Sequence, residues 1–157
     1  TTGFSRFPSG VRAKTSRNRD ASTPSNATMV YLFIAPALQV SAIVATNATA
    51  FLREGLVTRT DEPGGLSGKP LKARATDFIH RIYEVTAGKL PIIGSGGIFT
   101  PVDAYEKITA GATAVQVYTG LVYEGPAIVR KINRGLLKLL HRDGFKDIPA
   151  AVGTKVR

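Results

Sequence analysis

The sequence predicts an α/β fold in which parallel strands are covered by helices. Short apolar runs of strand length alternate with longer segments of helical periodicity, and glycine-rich turns follow two of the runs. The order is strand, loop, helix, strand, helix, strand, helix, which calls for parallel pairing through helical crossovers. The 157 residues, 43% of them apolar, are enough for one domain with a buried core.

The amino-terminal segment, residues 1–28, holds five Arg or Lys residues and one acid, and it lacks sustained apolar periodicity. We expect it to be disordered. Its composition resembles a mitochondrial transit peptide and also fits a basic tail or a non-native extension. Residues 29–41 form an apolar lead-in that we leave unassigned. The uncharged stretch 29–45 approaches the ~17-residue lower limit of a membrane helix, but Pro36 and Gln39 favour a buried strand with its lead-in.

The net charge is +10, which is compatible with nucleic acid, an anionic membrane face or a phosphorylated ligand as partner. Charge alone does not choose among these three. The chain has no cysteine, so disulfides, thiolate metal sites and a cysteine nucleophile are excluded for it.

The first strand is predicted within residues 42–49, where a β-branched run ends in polar residues. A buried parallel strand here would deliver Thr46 and Asn47 to a site at its carboxyl end. Residues 51–70 form a polar loop dense in Gly and Pro, and a loop of this length is usually functional or disordered.

The remaining elements follow in order. A helix over residues 73–89 should end at Gly88, with apolar positions Phe78, Ile79, Ile82 and Val85 at helical spacing. Residues 91–94 and 113–118 are predicted to be buried strands. Between them, Thr100 as N-cap and Asp103 as capping-box acid open a helix that ends near Gly111. The last helix, about 126–142, carries an apolar stripe of Ile128, Val129, Ile132, Leu136, Leu137 and Leu140.

The two strand ends at residues 94–97 and 118–120 are rich in glycine and small polar residues. In parallel α/β folds ligands bind at the carboxyl ends of strands, and bare backbone lets N–H groups approach phosphate oxygens. A nearby helix N-terminus would add a favourable dipole. We therefore favour an anion site, the alternative being glycines that only permit tight turns. Neither "GSGGIF" nor "GGLSGKP" completes a nucleotide-binding motif.

Several motifs in fixed order, "EPGGLSGKPL", "PIIGSGGI", "DAYEKITAGATAVQVYTGLVYEGP" and "GF" followed by "AAVGT", resemble the carboxyl-terminal portion of class 2 dihydroorotate dehydrogenase. The resemblance covers about residues 42–154. It implies that residues 42–157 form the last three βα units of an FMN-binding TIM (β/α)8 barrel. The family oxidises dihydroorotate to orotate in pyrimidine synthesis and passes electrons to a membrane quinone.

The resemblance also assigns site residues. Asn47 would bind the pyrimidine ring, because an amide offers both a donor and an acceptor. The residues matching the flavin-binding positions are Thr46, Ser67, Gly68, Gly96, Gly97, Tyr118 and Thr119. Ala48 departs from the family, which commonly has Thr there, and this departure lowers the expected affinity for substrate.

The family's catalytic serine base, a flavin-contacting lysine and the quinone-site helices all belong upstream of the matched region, so no catalytic residue is assigned. His80 and His141 fall in helices and are not replacements for the base. We expect this chain, as a fragment of the family's barrel, to lack dehydrogenase activity alone. The resemblance implies membrane association, at the mitochondrial inner membrane in a eukaryote or the cytoplasmic membrane in a bacterium.

Two other readings compete with this one. The chain could be a non-catalytic FMN-binding or structural subunit of a larger assembly. A partial barrel would also leave an open strand edge through which copies could associate. Nucleic-acid binding is not expected, because the basic arm offers only Phe4 and Phe7 for stacking and contains no recognised module.

Overall fold

The computed structural model describes residues 40–49 and 65–156. The predictions for the basic segment 1–28, for the lead-in as far as residue 39 and for residues 50–64 of the polar loop lie outside the described residues.

Three short parallel strands form the sheet of the described chain. They are β1 (Ile43–Ala45), β2 (Ile92–Ser95) and β3 (Ala114–Gln116), in the order β1-β2-β3. The register aligns Val44 with Ile93, and Ile93 with Ala114. The predicted parallel α/β arrangement is therefore confirmed, and its small parallel sheet is consistent with part of a barrel.

Helices follow the strands as the periodicity predicted, and one 3-10 helix and two short α-helices occur in addition. A short 3-10 helix, Lys69–Leu71, leads into α1 (Lys72–Val85), and α2 (Pro101–Thr109) follows β2. After β3 come α3 (Thr119–Glu124), α4 (Ala127–Arg142) and α5 (Ile148–Ala151). The sequence analysis did not predict α3 or α5. The capping box of α2 is confirmed, with the Thr100 hydroxyl accepting from the Asp103 N–H and the Asp103 carboxylate accepting from the Thr100 N–H.

Within residues 40–49 and 65–156, helices cover only one face of the sheet. Ala45, Ile92 and Gly94 lie on the covered face and are buried. On the opposite face Val44 is 55% exposed, and Ala114 and Gln116 are also exposed. The prediction that these strands are buried is therefore wrong for this face, because no other described element packs on it. A parallel sheet covered on one side only is what part of a closed barrel presents.

Two apolar clusters hold the helices in place. One joins β1, α1 and β2 through Ala45, Ile79 and Ile92. The other joins α2 to α4 and α5, and its α4 members are Ile128, Ile132, Leu136 and Leu140. The apolar stripe predicted for the last helix was too wide, since Val129 and Leu137 are 53% and 59% exposed. Within the described residues, no helix has the length and apolarity needed to cross a membrane.

Candidate functional site

A cavity of about 480 Å³ lies at the carboxyl ends of the three strands. Every residue that the sequence analysis assigned to the site lines it: Thr46, Asn47, Ser67, Gly68, Gly96, Gly97, Tyr118 and Thr119. These residues come from four separate segments of the chain. The tertiary structure therefore gathers all the assigned positions at one place, while their roles stay predictions.

The open face of the sheet forms one wall of the cavity. Val44 and Thr46 from the β1 segment, Ser95 at the end of β2 and Gln116 at the end of β3 line it. Ser95 and Gln116 were not predicted. Their position could have been inferred from the alternation of side chains along a strand, because Ser95 lies opposite in direction to Gly94, which is buried under the helices. They add a hydroxyl and an amide to the cavity.

The loop after β2 requires glycine at two consecutive positions. Gly96 and Gly97 have φ of +104° and +70°, a region that other residues rarely adopt. A Cβ on Gly97 would lie 2.6 Å from the Cα of Lys72. A Cβ on Gly96 would lie 3.0 Å from the Cβ of Ala75. The loop therefore sits with bare backbone against the first turns of α1.

Backbone donors at this loop remain free. Among the described residues, the N–H groups of Gly96, Gly97 and Ile98 have no hydrogen-bond acceptor. Gly97 and Ile98 are nevertheless buried, and buried backbone N–H groups almost always have a partner. A ligand that accepts hydrogen bonds at the cavity wall would satisfy them. The phosphate group predicted for this strand end has the required chemistry.

The N–H groups just before α2 are already satisfied by a side chain of that helix. Asp103 Oδ2 accepts hydrogen bonds from the N–H groups of Phe99 (3.0 Å) and Thr100 (2.9 Å). The carboxylate of the helix itself therefore satisfies these donors and places a negative charge there. The free donors lie earlier in the loop, at residues 96–98.

The loop at residues 65–68 closes the other side of the cavity. An antiparallel bridge joins Leu66 to Thr49, with N–H to carbonyl distances of 2.7 and 3.1 Å. The Thr119 hydroxyl donates to Ser67 Oγ at 3.1 Å and so joins this loop to the start of α3. Gly120 packs so closely that an added Cβ would lie 2.2 Å from the carbonyl oxygen of Ile98. These contacts hold the two strand ends together around the cavity.

Asn47 is exposed at the mouth of the cavity, with its Oδ1 accepting from the Ala48 N–H at 2.8 Å. That hydrogen bond fixes the orientation of the amide and leaves the Nδ2 group available as a donor. Ala48 also lines the cavity, and a Cβ on Gly65 would lie 2.9 Å from the Cβ of Ala48. The wall is therefore tight beside the position where the family pattern is broken.

The lining residues include no carboxylate, imidazole or amine. His80 lies on α1 with its Nε2 3.4 Å from Glu84 Oε1, and His141 is exposed near the end of α4. Neither lines the cavity, in agreement with the sequence analysis. No group of metal-ligating side chains occurs in the described part of the chain. The cavity can therefore bind and orient a ligand, but the described residues supply no strong general base to it.

An ionic network lies behind the cavity wall. Lys72 Nζ is 2.7 Å from Asp103 Oδ1 and 3.1 Å from Glu106 Oε2. These two hydrogen bonds raise the pKa of Lys72. Burial acts to raise the pKa of Asp103, but the hydrogen bonds from Lys72 and from the Phe99 and Thr100 N–H groups outweigh it and lower that pKa. The sequence analysis missed this network, which joins residues more than thirty positions apart.

Comparison with known proteins identifies the same family along most of the chain. The family model described as dihydroorotate dehydrogenase matches residues 22–140. A curated relative from Nostoc punctiforme, named dihydroorotate dehydrogenase (quinone), is 47% identical over 133 residues, covering 79% of this chain and 35% of the relative. A relative of the same name from Anaeromyxobacter sp. is 55% identical over 119 residues, covering 74% of this chain and 32% of the relative.

A solved structure has the same fold over the matched region. The ligand-free dihydroorotate dehydrogenase of Eimeria tenella superposes with a TM-score of 0.80 and 37% identity, covering 86% of this chain and 38% of that one. The chain thus spans about a third of the length of the curated relatives that it matches.

Proposed function

The chain belongs to the dihydroorotate dehydrogenase family, and from this premise we propose that it provides the FMN-binding carboxyl-terminal part of a quinone-dependent dihydroorotate dehydrogenase. The reaction would oxidise dihydroorotate to orotate in pyrimidine synthesis. The observation that supports the proposal best is the cavity at the strand ends, where bare glycine backbone and free N–H groups meet.

The residues present fit FMN. Its phosphate would accept hydrogen bonds from the N–H groups of Gly96, Gly97 and Ile98, and these groups have no other acceptor among the described residues. The Ser67 and Thr119 hydroxyls line the same cavity, beside Gly68. Thr46 and Ser95 line the cavity at the sheet face and would meet the more distant part of the cofactor. FMN, when bound, would supply the two-electron acceptor that amino-acid side chains cannot provide.

Asn47 is the residue proposed to hold the substrate. Its amide is oriented by the hydrogen bond from the Ala48 N–H and stands at the cavity mouth, where a pyrimidine ring would lie against the cofactor. Such positioning is the contribution that this part of the protein would make to catalysis. The proton removed from dihydroorotate needs a base, and the lining residues include none of sufficient strength. We therefore retain the prediction that this chain alone does not turn over dihydroorotate.

The electron acceptor and location follow from the relatives' names. A quinone acceptor would require contact with the membrane that holds the quinone. The two curated relatives described above are bacterial, so they give no support to the mitochondrial part of the prediction. We propose membrane association, with the side of the membrane and the compartment left to experiment.

A non-catalytic role in binding flavin is the second candidate. It is favoured by the combination of free N–H groups at residues 96–98 with a cavity whose described lining residues include no strong base. Under this proposal the chain would bind FMN, through its phosphate, without oxidising substrate. It would need a partner, or a second copy of the chain, to cover the open face of the sheet.

The first test is cofactor retention. The purified chain would be incubated with FMN or with riboflavin, passed through gel filtration and examined by visible absorption. We expect FMN to be retained and riboflavin to be lost, because only FMN offers a phosphate to the free N–H groups. Retention of neither flavin, or of both alike, would contradict the proposed site. A dihydroorotate assay with a quinone acceptor then separates the two candidates, since turnover by the chain alone would exclude the non-catalytic role.

A further inference from the structure

The Gly96–Gly97 loop is held from behind by two helices. Gly97 approaches the backbone of Lys72 so closely that an added Cβ would lie 2.7 Å from the Lys72 nitrogen. On the other side, the N–H of Phe99 donates to the Asp103 carboxylate at 3.0 Å. The conformation of the loop therefore depends on where the first turn of α1 and the first turn of α2 stand relative to each other.

Two lysines link α1 and α2 in opposite directions. From α1, Lys72 Nζ contacts Asp103 and Glu106 on α2. From α2, Lys107 Nζ donates to Thr76 Oγ1 at 3.0 Å and to the carbonyl oxygen of Lys72 at 3.4 Å on α1. Lys107 has no exposed surface, which is rare for a lysine. We call these four residues, Lys72, Asp103, Glu106 and Lys107, the clasp.

The charges of the clasp balance. Its two carboxylates are both ion-paired to Lys72, and its second ammonium group, on Lys107, is hydrogen-bonded to Thr76 and to the Lys72 carbonyl oxygen. Asp103 also accepts two N–H bonds from the loop side. This balance matters at a phosphate site. Asp103 is hydrogen-bonded to the N–H of Phe99, two residues after Gly97, and an uncompensated carboxylate there would repel a dianion. Lys72 contacts both carboxylates. Without its charge, the side of the loop that faces α2 would carry a net negative charge.

We propose that Lys72 and Asp103 are positioning residues for the phosphate-binding loop: Asp103 fixes the loop through the Phe99 and Thr100 N–H groups, and Lys72 holds and neutralises Asp103. This inference rests on the proposed function, because it assumes that the free donors at residues 96–98 bind the phosphate of FMN. Asp103 withdraws two donors from the loop and directs the phosphate to the three that remain. Neither side chain lines the cavity, so both act through the loop.

The test compares FMN with riboflavin in the full 157-residue chain by quenching of flavin fluorescence. Lys72→Met removes the neutralising charge, whereas Lys72→Arg keeps it. Arg81→Met is the matched control: Arg81 lies on the same helix, is ion-paired to Asp77 at 3.0 Å, and its side chain is 36% exposed, as is that of Lys72. Asp103→Ala removes the acceptor of the Phe99 and Thr100 N–H groups. Circular dichroism establishes that each variant is folded.

We expect Lys72→Met to weaken FMN binding by about tenfold or more, because the carboxylate left without its partner repels the phosphate. Asp103→Ala should weaken it by a similar factor, because the Phe99 and Thr100 N–H groups lose the acceptor that fixes the loop. Their riboflavin affinity should stay within about twofold of wild type, since riboflavin has no phosphate. Lys72→Arg and Arg81→Met should resemble wild type. If Asp103→Ala does not fold, Lys72→Met carries the test, because the side chain of Lys72 is partly exposed.

Equal losses for the two flavins in Lys72→Met, or no loss for either, would overturn the positioning role. A purely structural contribution would lower both affinities together, whereas the proposed role changes their ratio. The proposed function has a separate outcome: it fails if the wild-type chain does not prefer FMN to riboflavin, and the positioning role then fails with it. A preference in wild type that Lys72→Met leaves intact would refute the positioning role alone.

Discussion

Replacing Gly97 by alanine should damage both the fold and the cofactor site. The φ of +70° costs a non-glycine residue about 1–2 kcal/mol. The added Cβ would also lie 2.6–2.7 Å from three Lys72 atoms, Cα, Cβ and the backbone nitrogen, and two of these belong to the backbone of α1. Forcing such an overlap typically costs a further 1–3 kcal/mol or so. We therefore expect Gly97→Ala to lower the free energy of unfolding by about 2–5 kcal/mol.

Gly144→Ala is the control for backbone strain. Gly144 has a similar φ of +76°, but a Cβ there would meet nothing within 4 Å. Its cost should be limited to the strain of about 1–2 kcal/mol. Urea unfolding followed by circular dichroism gives the stability of both variants, and fluorescence titration gives their affinity for FMN. Because the clash displaces the loop donors, we expect Gly97→Ala to bind FMN about ten- to a hundredfold more weakly than Gly144→Ala.

The comparison can refute the reasoning in two ways. If the two variants lose the same stability, the loop does not pack against Lys72 as described. If Gly97→Ala loses stability but binds FMN as well as Gly144→Ala does, the backbone at Gly97 is not part of the phosphate site. The second result would agree with the fold as described, but it would mean that FMN binds at another place.

Three further predictions concern the core and its ionisable groups. Ile132→Ala should lower the free energy of unfolding in urea by about 2–5 kcal/mol, and Val129→Ala by less than about 1 kcal/mol, because the side chain of Ile132 is 2% exposed and that of Val129 53% exposed. Equal losses of stability in the two variants would contradict the packing of α4. Burial lowers the pKa of Lys107 to about 8 from its ordinary 10.5, so the unfolded chain binds more protons between these pH values and stability should rise by about 2–3 kcal/mol from pH 8 to 10.5. Unfolding at several pH values should show no such rise in Lys107→Met. Burial and the hydrogen bond to Asp143 raise the pKa of Tyr105 to about 12, so the stability of the wild-type chain should fall above pH 10. Tyr105→Phe should be less stable than wild type by about 1 kcal/mol below pH 10 and should not show this fall.

Features encoded by a few neighbouring residues were predictable. The capping box at Thr100 and Asp103 involves residues three positions apart, and its hydrogen bonds form whenever a helix begins there. The positive φ values at Gly96 and Gly97 follow from the same local logic, since a tight turn between a strand and a helix needs them. The order of strands and helices likewise followed from side-chain periodicity.

Local signals failed where a helix has no cap of its own. The six-residue helix α3 begins at Thr119 without a side-chain cap, and Gly120 instead packs on the Ile98 carbonyl more than twenty positions earlier. The sequence analysis therefore assigned Tyr118 and Thr119 to the site but did not predict helix α3, which begins there. In α5, by contrast, Asp147 caps the helix by accepting from the Ala150 N–H, and Pro149 lies in the first turn. That signal was present in the sequence and was missed.

The sequence by itself determined the succession of parallel strands and helices, the family resemblance, and the residues that would have to meet if the family's site were present. The tertiary structure decided which face of the sheet stays open, because burial depends on which elements pack on each side. It also decided that Lys72 and Lys107 cross between α1 and α2. Such contacts join residues about thirty positions apart, and their distances are set by the packing of whole helices.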